Sequence, residues 1–152
     1  MNPKILHNLT MIPFFLFGVI ALILGIRWLF HPEPWLLDKL ANETILNESF
    51  QDLFKREGNE NLPFYLTNIY RFFGLWVSST GALTLIFVYL TRLGTPLSKA
   101  LIQSVYLFLL IGATYLLYVY IPNSHFKYLA GAFWVLYFIS LWSGIQLNKF
   151  DN

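Results

Sequence analysis

Charge is scarce in this sequence and cysteine is absent. Only 12% of its 152 residues are Asp, Glu, Lys or Arg, where a soluble domain carries about 25%. A chain of this size exposes much of its surface, and so few charges do not suit a water-facing fold. The 57% share of hydrophobic residues argues equally against disorder. Lipid is the solvent that this composition fits. The lack of cysteine excludes disulfides, thiolate metal sites and a thiol nucleophile, and leaves the redox compartment open. The three histidines, His7, His31 and His125, have no metal-ligand spacing. There is no glycine-rich phosphate loop, nucleophile elbow or HExxH. No basic block is present, so nucleic acid is not an expected partner. No cofactor is expected.

What is present is four apolar runs. A helix rising about 1.5 Å per residue needs about 20 apolar residues to cross about 30 Å of hydrocarbon. Residues 11–30, 69–91, 100–121 and 126–147 meet that length. Arg27 and Arg71 are the charges in the first two runs, the third has none, and the fourth has only Lys127 at its start. Pro122 ends the third run, while Gly94 and Pro96 mark the turn before it. The first run has the basic flank of a signal peptide, but no small-residue cleavage site follows it. It is expected to be a retained span. The expected fold is all-α: one integral membrane four-helix bundle over 1–152, with an extramembrane amphipathic helical loop at 31–66 between spans 1 and 2.

Seven of the eight acids fall in that loop, against Lys39, Lys55 and Arg56, a net of −4. Lys4, Arg92, Lys99 and Lys149 lie on the other side of the spans. Positive residues favour the cytoplasm, so both termini are expected there, in a bacterial inner membrane. Within the loop, Pro34 suits a first helical position and predicts a short helix over 35–40. Asn42 or Thr44 is the expected cap of a second helix. Its apolar residues Leu46, Phe50, Leu53 and Phe54 repeat with helical spacing, and Gly58 is its expected C-cap. Such a helix lies flat on the bundle mouth, either as a lid or as a docking face for a partner. Two Asn-x-Ser/Thr triplets, at Asn42 and Asn47, matter only in a eukaryote.

In lipid, small residues mark where helices approach closely. Gly74, Ser78 and Ala82 in span 2, Ala21 and Gly25 in span 1, and Ser140 and Gly144 in span 4 are the expected contact faces. They serve either the bundle or an oligomer. A faint echo links Phe17-Gly18…Gly25 to Phe73-Gly74…Gly81, too short to indicate a duplicated fold. Trp28, Trp35, Tyr65, Tyr70, Tyr118, Tyr120 and Tyr128 gather at one interface, as an aromatic belt does. Tyr106, Tyr115 and Tyr137 lie deeper and need hydroxyl partners, for which Thr84, Gln103, Ser104, Thr114 and Ser140 are candidates.

A charge at membrane depth is the default functional candidate. Arg71, beside Asn68 and Tyr70, either snorkels to the interface or faces the bundle. In the second case it pairs with an acid such as Glu33 or Glu60, or holds an anionic or quinone-like ligand. Arg27, His31, His125 and Lys127 fall near the same membrane face, and together they outline an outward vestibule. No acid lies within a span, which weighs against a proton relay, and unbroken spans weigh against a transporter.

Two stretches carry a family likeness. Gly25-Ile26-Arg27-Trp28-Leu29-Phe30-His31-Pro32-Glu33-Pro34-Trp35-Leu36-Leu37-Asp38 closes span 1, and Asn68-Ile69-Tyr70-Arg71-Phe72-Phe73-Gly74, followed by Gly81, opens span 2. The pattern resembles small bacterial four-span proteins of the DUF4345 and DoxX-like type. The resemblance implies a four-helix membrane bundle, marks Arg71 and Gly74 as family-like positions, and brings an association with respiratory or quinone chemistry. The expected function is that of a non-enzymatic membrane protein, an accessory or interaction subunit whose partners are lipids, another membrane protein or further copies of itself. The alternative is a binder of a small lipophilic or anionic ligand in an outward pocket around Arg71.

Overall fold

A computed structural model describes residues 2–150, and the chain within them is helical with no strand. Four helices are long and apolar enough to cross a membrane: α1 (Pro3–Phe30), α4 (Leu62–Thr91), α5 (Pro96–Val119) and α6 (Phe126–Asn148). Between α1 and α4 the chain forms a 3-10 turn (Pro34–Asp38) and two short helices, α2 (Lys39–Leu46) and α3 (Phe50–Lys55). The all-α bundle with a helical outer loop is therefore the architecture. Residues pointing away from it, such as Phe108 at 77% exposed, are large and apolar. That is the surface of a protein solvated by lipid.

The helices start earlier than their apolar runs. Asn2 accepts a hydrogen bond from Lys4 N, and Pro3 sits in the first turn, so α1 begins eight residues before its expected span. Pro63 similarly starts α4 at Leu62. α5 begins at Pro96 because Thr95 and Ser98 form a reciprocal capping box. Hydropathy sees only the lipid-facing stretch, whereas caps fix where the backbone becomes helical.

α1 is the central helix, packed antiparallel against α4 on one side and against α6 on the other, with α5 against α6. The α1–α4 seam is made of glycine. Gly25 lies against Gly74 and Ser78, and Gly18 against Gly81. A Cβ placed on Gly74 meets Gly25 O at 2.7 Å, and one on Gly81 meets Gly18 O at 2.7 Å. The echo of two Phe-Gly…Gly stretches is thus one packing motif seen from both partners. Of the small residues expected at contacts, Gly74, Ser78, Gly25, Ser140 and Gly144 are buried there, while Ala82 and Ala21 are only half-buried. The reason is angular. Seven residues turn a helix by within about 20° of two full turns, whereas eight drift by about 80°, so Gly81 takes the place expected of Ala82.

The core between α1, α5 and α6 is aromatic. Phe17 stacks on Tyr106 at 4.8 Å and meets Phe133 edge-on at 4.6 Å, with Phe14 alongside. Leu93, in the turn after α4, is fully buried in the same cluster. Arg92 and Leu93 both take left-handed conformations, with φ of 50° each, while Gly94 does not. Burying a leucine offsets by about 2 kcal/mol the backbone cost of holding it there. α4 and α5 diverge, leaving an apolar groove of about 460 Å³ between them. The Thr84 and Tyr106 hydroxyls, 2.9 Å apart, bridge it.

Candidate functional site

The cap formed by residues 31–61 is a folded unit with its own small core. Trp35 packs edge-on to Phe54 at 5.5 Å and against Phe50 at 6.3 Å. The expected second helix is divided in two. Asn47 turns left-handed to end α2, and Ser49 caps α3 through Asp52 N. Glu43 Oε1 accepts from Phe50 N across the break. Asn42 is not a cap: its amide donates to Trp35 O and to the Tyr70 hydroxyl, tying the cap to α4. Gly58 (φ +88°) turns the chain two residues after Arg56, which is the actual C-cap. Its N–H and that of Glu60 hydrogen-bond the Glu60 carboxylate and hold it below the usual carboxylate range.

A second tie joins the cap to the α5–α6 turn. Asp38 Oδ2 accepts from Ser124 Oγ at 2.6 Å, and Asp38 Oδ1 lies 3.1 Å from His125 Nδ1. Ser124 Oγ in turn accepts from Phe126 N and starts α6. Phe50 and Leu53 of the cap thus face the bundle across an open apolar pocket of about 250 Å³, lined from α4 by Leu62, Leu66 and Tyr70, while Leu40, Ile45 and Leu46 remain exposed. Glu57 and Glu60 are exposed on the outside, where Arg56 pairs with Glu48 at 2.7 Å.

The residues expected to share a vestibule are divided among several places. Arg27 and His125 line one narrow crevice of about 50 Å³ with Trp28, Leu37 and Phe126. Trp28 Nε1 is buried there with no hydrogen-bond partner among the described residues. His31 and Glu33 form a local turn, in which Glu33 N donates to His31 Nδ1. Tyr70 faces Asn42 under the cap. Arg71 and Asn68 are exposed, and no ion pair among the described residues includes Arg71. Arg71 lies one turn before Gly74 on α4, beyond the glycine contact with α1, and its side chain is exposed.

The densest polar cluster lies at the opposite end, beside the termini. Ser140 Oγ donates to Thr10 O at 2.7 Å, and Thr10 Oγ1 lies 3.0 Å from Ser143 Oγ, joining α1 to α6. Gln103 Nε2 donates to Ser140 Oγ and brings in α5. Lys99 is buried one turn away on α5. Sequence reasoning placed Lys99 in the loop before α5; the Thr95–Ser98 capping pair was the signal that it is helical. No family model matches the chain, and no curated protein or solved structure matches it.

Proposed function

We propose that this chain is a non-enzymatic integral membrane protein that works by contact, as an accessory or interaction subunit. The observation that carries this reading is the cap. Its aromatic residues Trp35, Phe50 and Phe54 pack inward, while Glu57 and Glu60 are exposed together with Leu40, Ile45 and Leu46, so it offers an acidic and partly apolar surface whose complement is a basic, partly apolar partner. The basic residues at the opposite end favour cytoplasmic termini in a bacterial inner membrane, with the cap outside.

The test is purification of the full chain from native membranes in a mild detergent. A partner held at fixed stoichiometry, cross-linked through the cap and released by the pair Glu57→Lys and Glu60→Lys, supports the reading. A chain that purifies alone, or a complex indifferent to the charge reversal, overturns it. A second reading, a binder of a lipid or quinone-like headgroup on the outer side, is favoured by the Trp28 N–H, which has no partner among the described residues and belongs to a side chain lining the same crevice as Arg27 and His125. It centres on that crevice rather than on Arg71, and a lone chain carrying extractable lipid or quinone there supports it instead.

A further inference from the structure

At the end of the bundle that carries the termini, a cleft of about 420 Å³ opens between α5 and α6. Lys99 and Asn148 line one end, Gln103 the middle, and Leu107, Tyr137 and Leu141 the deeper part. Lys99 is only 5% exposed. A lysine near a span end normally carries its ammonium to water, and this one does not. It donates to Asn148 Oδ1, and no ion pair among the described residues includes it. An ammonium has three N–H donors, and a neutral amide does not balance a charge withdrawn from water.

Gln103, 8% exposed, adds a second unmet demand. Ser140 Oγ gives its single proton to Thr10 O, so it must accept from Gln103, which sets the amide nitrogen toward Ser140. Gln103 Oε1 is left buried without a partner among the described residues. Among the described residues, a cation without a counter-charge, an orphaned acceptor one turn deeper and an apolar continuation thus line a single cleft.

We propose that this cleft holds an anionic amphiphile, with an acid oxygen on Lys99 and its hydrocarbon running between Leu107 and Leu141. In a glycerol-headed phospholipid, a headgroup hydroxyl also supplies the donor that Gln103 Oε1 lacks. The acid oxygen belongs to a phospholipid phosphate or to a long-chain carboxylate; both present the same chemistry to Lys99. The site is at the opposite end from the cap and stands independently of the cap's proposed role.

The full chain in an uncharged detergent is titrated with phosphatidylglycerol, phosphatidylcholine of the same chains, and oleate, and the bound fraction is read by native mass spectrometry. The expected result is a preference of about tenfold for an anionic probe over phosphatidylcholine. Lys99→Met loses it, Lys99→Arg keeps it, and Lys149→Met, at an exposed lysine of the same end, keeps it. Exchanging a buried charge for an apolar chain is commonly neutral for folding, and thermal unfolding verifies that. Ala100→Phe, which fills the cleft and leaves Lys99 in place, also loses the preference. Selectivity for phosphatidylglycerol identifies a membrane phospholipid, and selectivity for oleate a free fatty acid. Equal binding of all three probes, or equal weakening by Lys99→Met and Lys149→Met, overturns the proposal.

Discussion

Gly25 has no room for even one more carbon. A methyl group there meets the Ser78 backbone and, at 2.7 Å, Gly74 O. Backbone on both sides cannot swing aside as a side chain does, so Gly25→Ala must push α1 and α4 apart. The expected loss is about 1–3 kcal/mol, read as a lower unfolding temperature in detergent. Gly112 and Gly131 have nothing within 4 Å of such a methyl. Alanine at either one is expected to hold or raise stability, by up to about 1 kcal/mol from helix propensity. Equal effects at Gly25 and Gly112 would falsify the seam. The glycines themselves are plain in the sequence, but Gly25 and Gly112 are indistinguishable there, because what separates them is the helix opposite.

At the scale of elements, the cap is held by particular bonds rather than by area alone. Asp38 joins the 3-10 turn to Ser124 and His125, and Asn42 joins α2 to Trp35 and Tyr70. Removing the Asp38 carboxylate leaves Ser124, 2% exposed, without that acceptor. Asp38→Ala is therefore expected to raise amide hydrogen exchange across residues 39–55 by about tenfold, as an opening made easier by about 1–2 kcal/mol does. Exchange in α1 and α4 is expected to stay unchanged. An equal rise throughout the chain would show that the cap and the bundle open as one unit. The amphipathic spacing of Leu46, Phe50, Leu53 and Phe54 showed that this loop folds onto an apolar surface. The division at Asn47 and the role of Asn42 were hidden, since a side chain that caps a helix and one that staples two helices are the same residue type.

For the whole molecule, Thr10 meets Ser143 at one end of the bundle while Trp28 meets Phe126 at the other, at 5.2 Å. Both termini therefore share an end. The absence of cysteine makes sidedness measurable with single introduced thiols. In intact cells a membrane-impermeant maleimide is expected to label Glu57→Cys, and to label Gly94→Cys only after permeabilisation. The reverse pattern overturns the proposed orientation and moves the Lys99 cleft to the outer leaflet. Four spans, their order and the acidic loop were legible in the sequence, because length and hydropathy are properties of a segment by itself. Arg71, conspicuous in the sequence, turned out exposed, and Lys99, which looked like a loop residue, turned out buried.

Low charge and four apolar runs by themselves determined that this protein is a helical membrane bundle, since backbone hydrogen bonds in lipid are met only by helices or closed barrels, and continuous runs of about 20 apolar residues fit helices rather than short alternating strands. Only the tertiary structure decided which polar groups lost their water. That depends on the rotation of each helix about its axis, and here the rotation is set by glycines meeting glycines across the α1–α4 seam. Arg71, one turn from the buried Gly74, is exposed, and the packing of α5 on α6 buries Lys99. The residues left with unmet charge or hydrogen bonds among the described residues, Lys99 and Gln103 at one end and Trp28 at the other, are consequences of packing that no single stretch of the chain contains.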